Sequence, residues 1–154
     1  MANYRRKPMT DDQIIRKALR ILASRLQTTH GYLSSPADAA HYAVLKTANR
    51  KSEVFAVLLL NTRHQLIEYR ELFQGTIDGA TVYPREVVRA VIESNAAAVV
   101  FIHNHPSGIP EPSEADRAIT SKLQRALALI EVRVLDHVIV GGTQTVSMAE
   151  RGLV

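Results

Sequence analysis

The sequence predicts an α/β fold, a mixed β-sheet flanked by helices in a single domain. Three observations predict it. Two unbroken apolar runs, Val54–Leu60 and residues 96–102, have the length and the Val/Leu/Ile content of strands covered on both faces. Stretches with helical apolar spacing precede, separate and follow them. The chain has 154 residues, 46% of them hydrophobic, enough for one domain with a substantial core.

Each element has its own local cause. Thr10, Asp11 and Asp12 open an amphipathic helix whose apolar stripe is Ile14, Ile15, Ala18, Leu19, Leu22 and Leu26. Arg16, Lys17 and Arg20 face the other way, and Gly31 ends it. Ser35-Pro36 with Asp38 opens a second helix to about Asn49, with Pro where a missing N–H costs nothing. Residues 54–60 form the first buried strand, 61–64 a turn, and 66 to about 73 the returning strand. Gly75 and Gly79 bracket an irregular loop, and Pro84 starts a third helix reaching about Ser94. Residues 97–102 are the next strand, followed at once by His103-Asn104-His105. Three prolines and a glycine within 106–112 impose a loop. Ser113 caps a fourth helix to about Ile130; strand 132–140, the turn Gly141-Gly142 and strand 143–147 complete the order.

Composition narrows the chemistry. Without cysteine there is no disulfide framework, no thiol nucleophile, no iron–sulfur cluster and no Cys-ligated zinc. No apolar run approaches the ~20 residues of a membrane span, and the basic N-terminus leads into a polar amphipathic segment. A soluble cytoplasmic protein without a membrane partner is expected. The net charge of +4 is unevenly spread. Residues 1–30 hold seven Lys/Arg against Asp11 and Asp12, a net of +5; residues 31–154 hold twelve bases against thirteen acids, a net of −1. Any weak, nonspecific DNA contact therefore belongs to residues 1–30, through Arg5-Arg6-Lys7 and the helix cations.

The candidate chemistry lies in Phe101 to Asp116, FIHNHPSGIPEPSEAD. If the backbone is still extended at the strand end, His103 and His105 leave the same face and converge on one ion. The plainer alternative is two histidines hydrogen-bonded at a strand end. Asp116 is a third ligand candidate, although Ser113-x-x-Asp116 is also a capping box in outline. The prolines and Gly108 make a rigid loop able to bring that helix start back beside the histidines. Two His and one Asp leave a tetrahedral zinc one open position for water, the catalytic pattern. Glu53, at the mouth of the first buried strand, is the candidate base; alternatively it is an edge charge paired with Arg50 or Lys51.

Glu53, then His103-x-His105, seven residues, Ser113, two residues and Asp116 resemble the JAMM motif of the MPN-domain metalloproteases. The wider text VYPREVVRAVIESNAAAVVFIHNHPSG, PSEADRAITSKLQRALALIEVRVLDHVIVGG and SMAERGL resembles the bacterial RadC-like branch, over roughly residues 34–153. The resemblance implies an MPN/JAB sheet-and-helix architecture related to cytidine deaminases, occupying residues 31–154 behind a basic extension, 1–30. It implies Zn²⁺ on His103, His105 and Asp116, Glu53 serving the water, and Ser113 stabilising the tetrahedral intermediate. The implied activity is a zinc metallopeptidase or isopeptidase acting on a peptide or protein. Larger RadC proteins resemble two-part chains with a helix–hairpin–helix region associated with DNA; residues 1–30 are too short for one. Relatives also commonly carry Asp where Asn61 follows Leu60, in a turn away from the metal site.

The competing expectation is a DNA-repair-associated accessory protein that binds DNA through its basic N-terminus and keeps a structural or idle metal site. A zinc deaminase needs a P-C-x-x-C set that this chain lacks. An HNH nuclease would have its three letters dispersed, not consecutive. His30, His41 and His64 lie in loops or on helix surfaces with no expected role, and His137, inside a strand, is expected to be structural or to support the site.

Overall fold

The computed structural model describes residues 8–27, 36–75 and 82–154. In chain order the elements are α1 (Asp11–Gln27), α2 (Pro36–Thr47), β1 (Val54–Leu60), β2 (Leu66–Gln74), α3 (Pro84–Ser94), β3 (Ala98–Asn104), α4 (Glu114–Ala128), β4 (Arg133–Gly141) and β5 (Gln144–Ser147). The predicted class is the observed one. Among the described residues the strands form one mixed sheet in the order β2-β1-β3-β4-β5, in which only β3 and β4 are parallel.

Strand alternation explains why β1 and residues 98–102 of β3 had to be wholly apolar. Ala56, Leu58 and Leu60, with Ala98, Val100 and Ile102, pack under Ala39, Tyr42 and Ala43 of α2. Phe55, Val57 and Leu59, with Val99 and Phe101, face Val87, Ala90 and Val91 of α3 and Leu123 and Leu127 of α4. Every residue of both strands is buried. A polar residue at any of these places would need a partner inside the sheet sandwich.

Thr10 and Gln13 cap α1 reciprocally, each side chain taking the other's backbone N–H at 3.3 and 3.0 Å. Leu19, Leu22 and Ala23 seat the helix on the α2 side of the core. The stripe is narrower than its sequence suggests, because Ile14 is 52% exposed. Arg16, Lys17 and Arg20 are exposed as expected. Arg5, Arg6, Lys7, His30, Gly31, Ser35 and Gly79 lie outside the described residues, as does the Leu26 side chain.

Boundaries differ in places with local causes. The third strand does not stop at Ile102 but runs on through His103 and Asn104, paired with both neighbours as far as His103. The second helix ends at Thr47, whose hydroxyl bonds back to the Ala43 carbonyl at 2.8 Å. The fourth ends at Ala128, and Glu131 turns the chain at φ 58°. In the 61–64 turn the Asn61 side chain accepts from the Arg63 and Gln65 N–H groups at 2.9 and 3.0 Å, so the asparagine serves the turn. Among the described residues no helix is long and apolar enough to cross a membrane. The start of β1, the ends of β3 and β4 and the first turn of α4 all meet at one edge of the sheet, and the candidate site is there.

Candidate metal centre

His103 is the penultimate residue of β3, on the α4 side of the sheet, and is buried. His105 follows the strand; its N–H bonds to the Val140 carbonyl of β4 at 2.7 Å, which keeps the chain extended past the end of β3. The two imidazoles meet edge to face, centroids 4.8 Å apart. The loop then reverses at Gly108 (φ 82°) and delivers Ser113 as the N-cap of α4.

Asp116, three residues on, is fully buried; it caps the helix and also stands beside both imidazoles. Its Oδ2 accepts from the Ser113 N–H and hydroxyl, both at 2.7 Å, and its own N–H donates to Ser113 Oγ at 3.1 Å, a complete capping box. Its Oδ1 lies 2.9 Å from His103 Nδ1, and Oδ2 lies 3.3 Å from His105 Nε2. Burial alone would push this carboxyl up; the hydrogen bonds from His103, His105 and Ser113 outweigh it and hold it well below the usual carboxylate range. The bond to Asp116 raises the His105 imidazole in turn, against the opposing effect of burial.

One ligand atom each from His103, His105 and Asp116 lies within 4.8 Å of the others. Two imidazoles and one carboxylate are a donor set for a borderline-soft divalent cation. Among the described residues two buried ring nitrogens have no hydrogen-bond partner, His103 Nε2 and His137 Nε2; only the first belongs to the donor set, where it fits a nitrogen prepared for an ion. The residues fit Zn²⁺.

Glu53, just ahead of β1, is partly exposed, with Oε2 3.9 Å from His103 Nε2. Arg50 pairs with Glu71 at 2.8 Å. Ser113 is exposed at the rim, and its hydroxyl proton points at Asp116. His41 is exposed, and His64, in the turn at φ 58°, accepts from Arg133 at 3.1 Å.

His137 is fully buried beside Phe55 and Phe101, and burial pushes its imidazole down to about 3, so it is neutral. Its Nδ1 lies 2.6 Å from Thr120 Oγ1, which also lies 2.5 Å from the Asp116 carbonyl. Thr120 has one proton. Donated to the carbonyl, it leaves the oxygen to accept from His137 Nδ1–H, and β4 is thereby tied to the first turn of α4. Sequence reading missed Thr120, although its place four residues after Asp116 is a readable signal.

Gly141 was also underread as a turn residue. A Cβ there would sit 2.6 Å from the Gly108 carbonyl oxygen and 2.6 Å from Pro110 N, so the loop between His105 and Ser113 lies on bare backbone. Gly141→Ala must push that loop off β4. A loss of about 1–3 kcal/mol is expected in denaturant melts, with weaker metal retention on dialysis; an unchanged midpoint would show that the loop yields freely.

A model of the RadC-like JAB domain matches residues 33–153. A UPF0758 protein of Marinobacter nauticus is 56% identical over 121 residues, covering 79% of this chain and 54% of that protein. One from Saccharophagus degradans is 52% identical over 139 residues, 90% of this chain and 62% of the relative. One from Vibrio cholerae serotype O1 is 53% identical over 142 residues, 92% and 89% of the two. The chain thus spans between half and two thirds of the first two relatives and most of the third.

Proposed function

We propose, from the premise that this chain belongs to the RadC-like JAB domain family, that it is a zinc-dependent hydrolase of peptide or isopeptide bonds. The observation that carries the reading is the division of labour at the sheet edge. Three donors from β3, its following loop and α4 converge within 4.8 Å, while a second acid, Glu53, stands apart from the ligand set, 3.9 Å from His103.

Bound by His103, His105 and Asp116, Zn²⁺ would supply Lewis-acid activation, bringing the pKa of water down to about 7. Glu53 then takes the proton of the attacking water and later returns it to the leaving amine. Its partial exposure lets it reach both. Ser113 stands at the rim with a hydroxyl now committed to Asp116. With Asp116 engaged as a ligand, the Ser113 hydroxyl would turn to donate to the oxygen of the scissile carbonyl, where negative charge develops. A peptide or protein is the substrate class, since amide hydrolysis needs this combination of base, proton return and oxyanion donor.

Two measurements test the reading together. Protein purified without chelator is expected to carry one zinc per chain by elemental analysis. Incubated with a pool of blocked peptides and Lys-branched isopeptides, it should release new amine ends, stop after chelation, and recover with added zinc. Metal-free protein, or cleavage indifferent to chelation, contradicts the proposal.

A further inference from the structure

The antiparallel pairing of β1 with β3 ends at Phe55 and His103, one residue short of the place where Glu53 needs support. Beyond that point the β3 backbone turns to β4, through the bond from His105 N–H to Val140. The Asn104 side chain reaches back instead. It is 3% exposed, its Oδ1 accepts from the Val54 N–H at 2.7 Å, and its Nδ2 donates to the Ser52 carbonyl at 3.2 Å. Those two backbone groups flank Glu53. On the other side the Glu53 carbonyl accepts from Gly75 N–H at 2.9 Å, and Ser52 Oγ accepts from Gln74 at 3.0 Å.

We infer that Asn104 is a positioning residue for Glu53: its carboxamide replaces the missing rung of the sheet and fixes the acid relative to the two imidazoles on either side of it in sequence. A carboxamide is the group for the task. It offers one acceptor and one donor in a plane, matching an N–H and a C=O two residues apart. Aspartate would keep the first bond and set two acceptors against each other at the second. Serine would be too short to span both. Residues 103–105 thus alternate between two duties, with His103 and His105 facing the ion and Asn104 holding the acid that works beside it. The inference rests on the reading of Glu53 given above.

The test compares Asn104→Ala, Asn104→Asp, Glu53→Gln and the Asn104→Ala/Glu53→Gln double variant. Each is read by zinc per chain, by hydrogen exchange at the Val54 amide, and by the visible spectrum after cobalt replaces zinc. Cobalt bands report what surrounds the bound ion and its water, and general loss of stability does not move them. Asn104→Ala should keep one metal per chain and exchange Val54 about tenfold faster, the scale of one lost hydrogen bond. It should shift the cobalt spectrum as Glu53→Gln does, and the double variant should match Glu53→Gln alone. Asn104→Asp, with the volume kept, serves where alanine fails to fold: its spectrum should shift while Val54 stays protected. A wild-type spectrum in the Asn104 variants beside a shifted one in Glu53→Gln overturns this inference and leaves the hydrolase reading intact. Loss of metal from folded Asn104 variants overturns it too, by making Asn104 a support for the histidines. A wild-type spectrum in Glu53→Gln removes the role of Glu53 and both conclusions with it.

Discussion

Glu53→Gln is expected to retain a full complement of zinc and to lose hydrolysis by about 10²–10⁴-fold, the usual worth of a positioned general base. The substitution is nearly isosteric. It leaves the backbone bonds around residues 52–54 in place, because the Asn104, Gln74 and Gly75 contacts go to main-chain atoms or to Ser52. What disappears is a carboxylate that can take and return a proton. The metal should stay because the donor set of His103, His105 and Asp116 does not include Glu53. Elemental analysis and the peptide-pool assay on the same preparation decide it. Zinc lost together with activity would make Glu53 a ligand. Full activity with Gln at this position would place the base elsewhere.

Some of this was legible in the sequence because each feature had a local cause. β1 and β3 announced themselves through unbroken apolar runs, since both faces of each strand are covered. The capping box was written in the spacing of Ser113 and Asp116, and the His103/His105 pair in its place behind an apolar strand. The features that escaped depend on contacts between elements distant in the chain. Asn104 reaches a backbone amide fifty residues away, and Thr120 meets a histidine seventeen residues on. Gly141 is needed because a loop lies against it, a fact that a Gly-Gly dipeptide does not state. The stripe on α1 read too wide for a related reason: periodicity shows that a helix has an apolar side, but the neighbour decides how much of it is covered. Ile14 lies past the edge of what α2 and the sheet reach.

Asp116→Ala is expected to have the largest structural effect, removing the metal and destabilising the apoprotein together. The carboxylate accepts from the Ser113 N–H and hydroxyl and stands against both imidazoles, all at a fully buried position. Removing a cap alone costs about 0.5–2 kcal/mol. Here the truncation also leaves the buried His103 Nδ1 without its acceptor, at roughly 1–3 kcal/mol. A total of about 2–4 kcal/mol corresponds to a drop of very roughly 5–15 °C in Tm for a chain of this size. Two further variants separate the contributions. Ser113→Ala loses only one side of the capping box, so it should fall by about 1 kcal/mol and keep its zinc. Asp116→Asn keeps an oxygen for the Ser113 N–H but not the negative charge, so it should lose less stability than Asp116→Ala while zinc content collapses. The depressed carboxyl makes the charge itself part of what holds this corner together. Zinc retained in Asp116→Asn at wild-type stoichiometry would remove Asp116 from the ligand set and reduce its role to that of a helix cap.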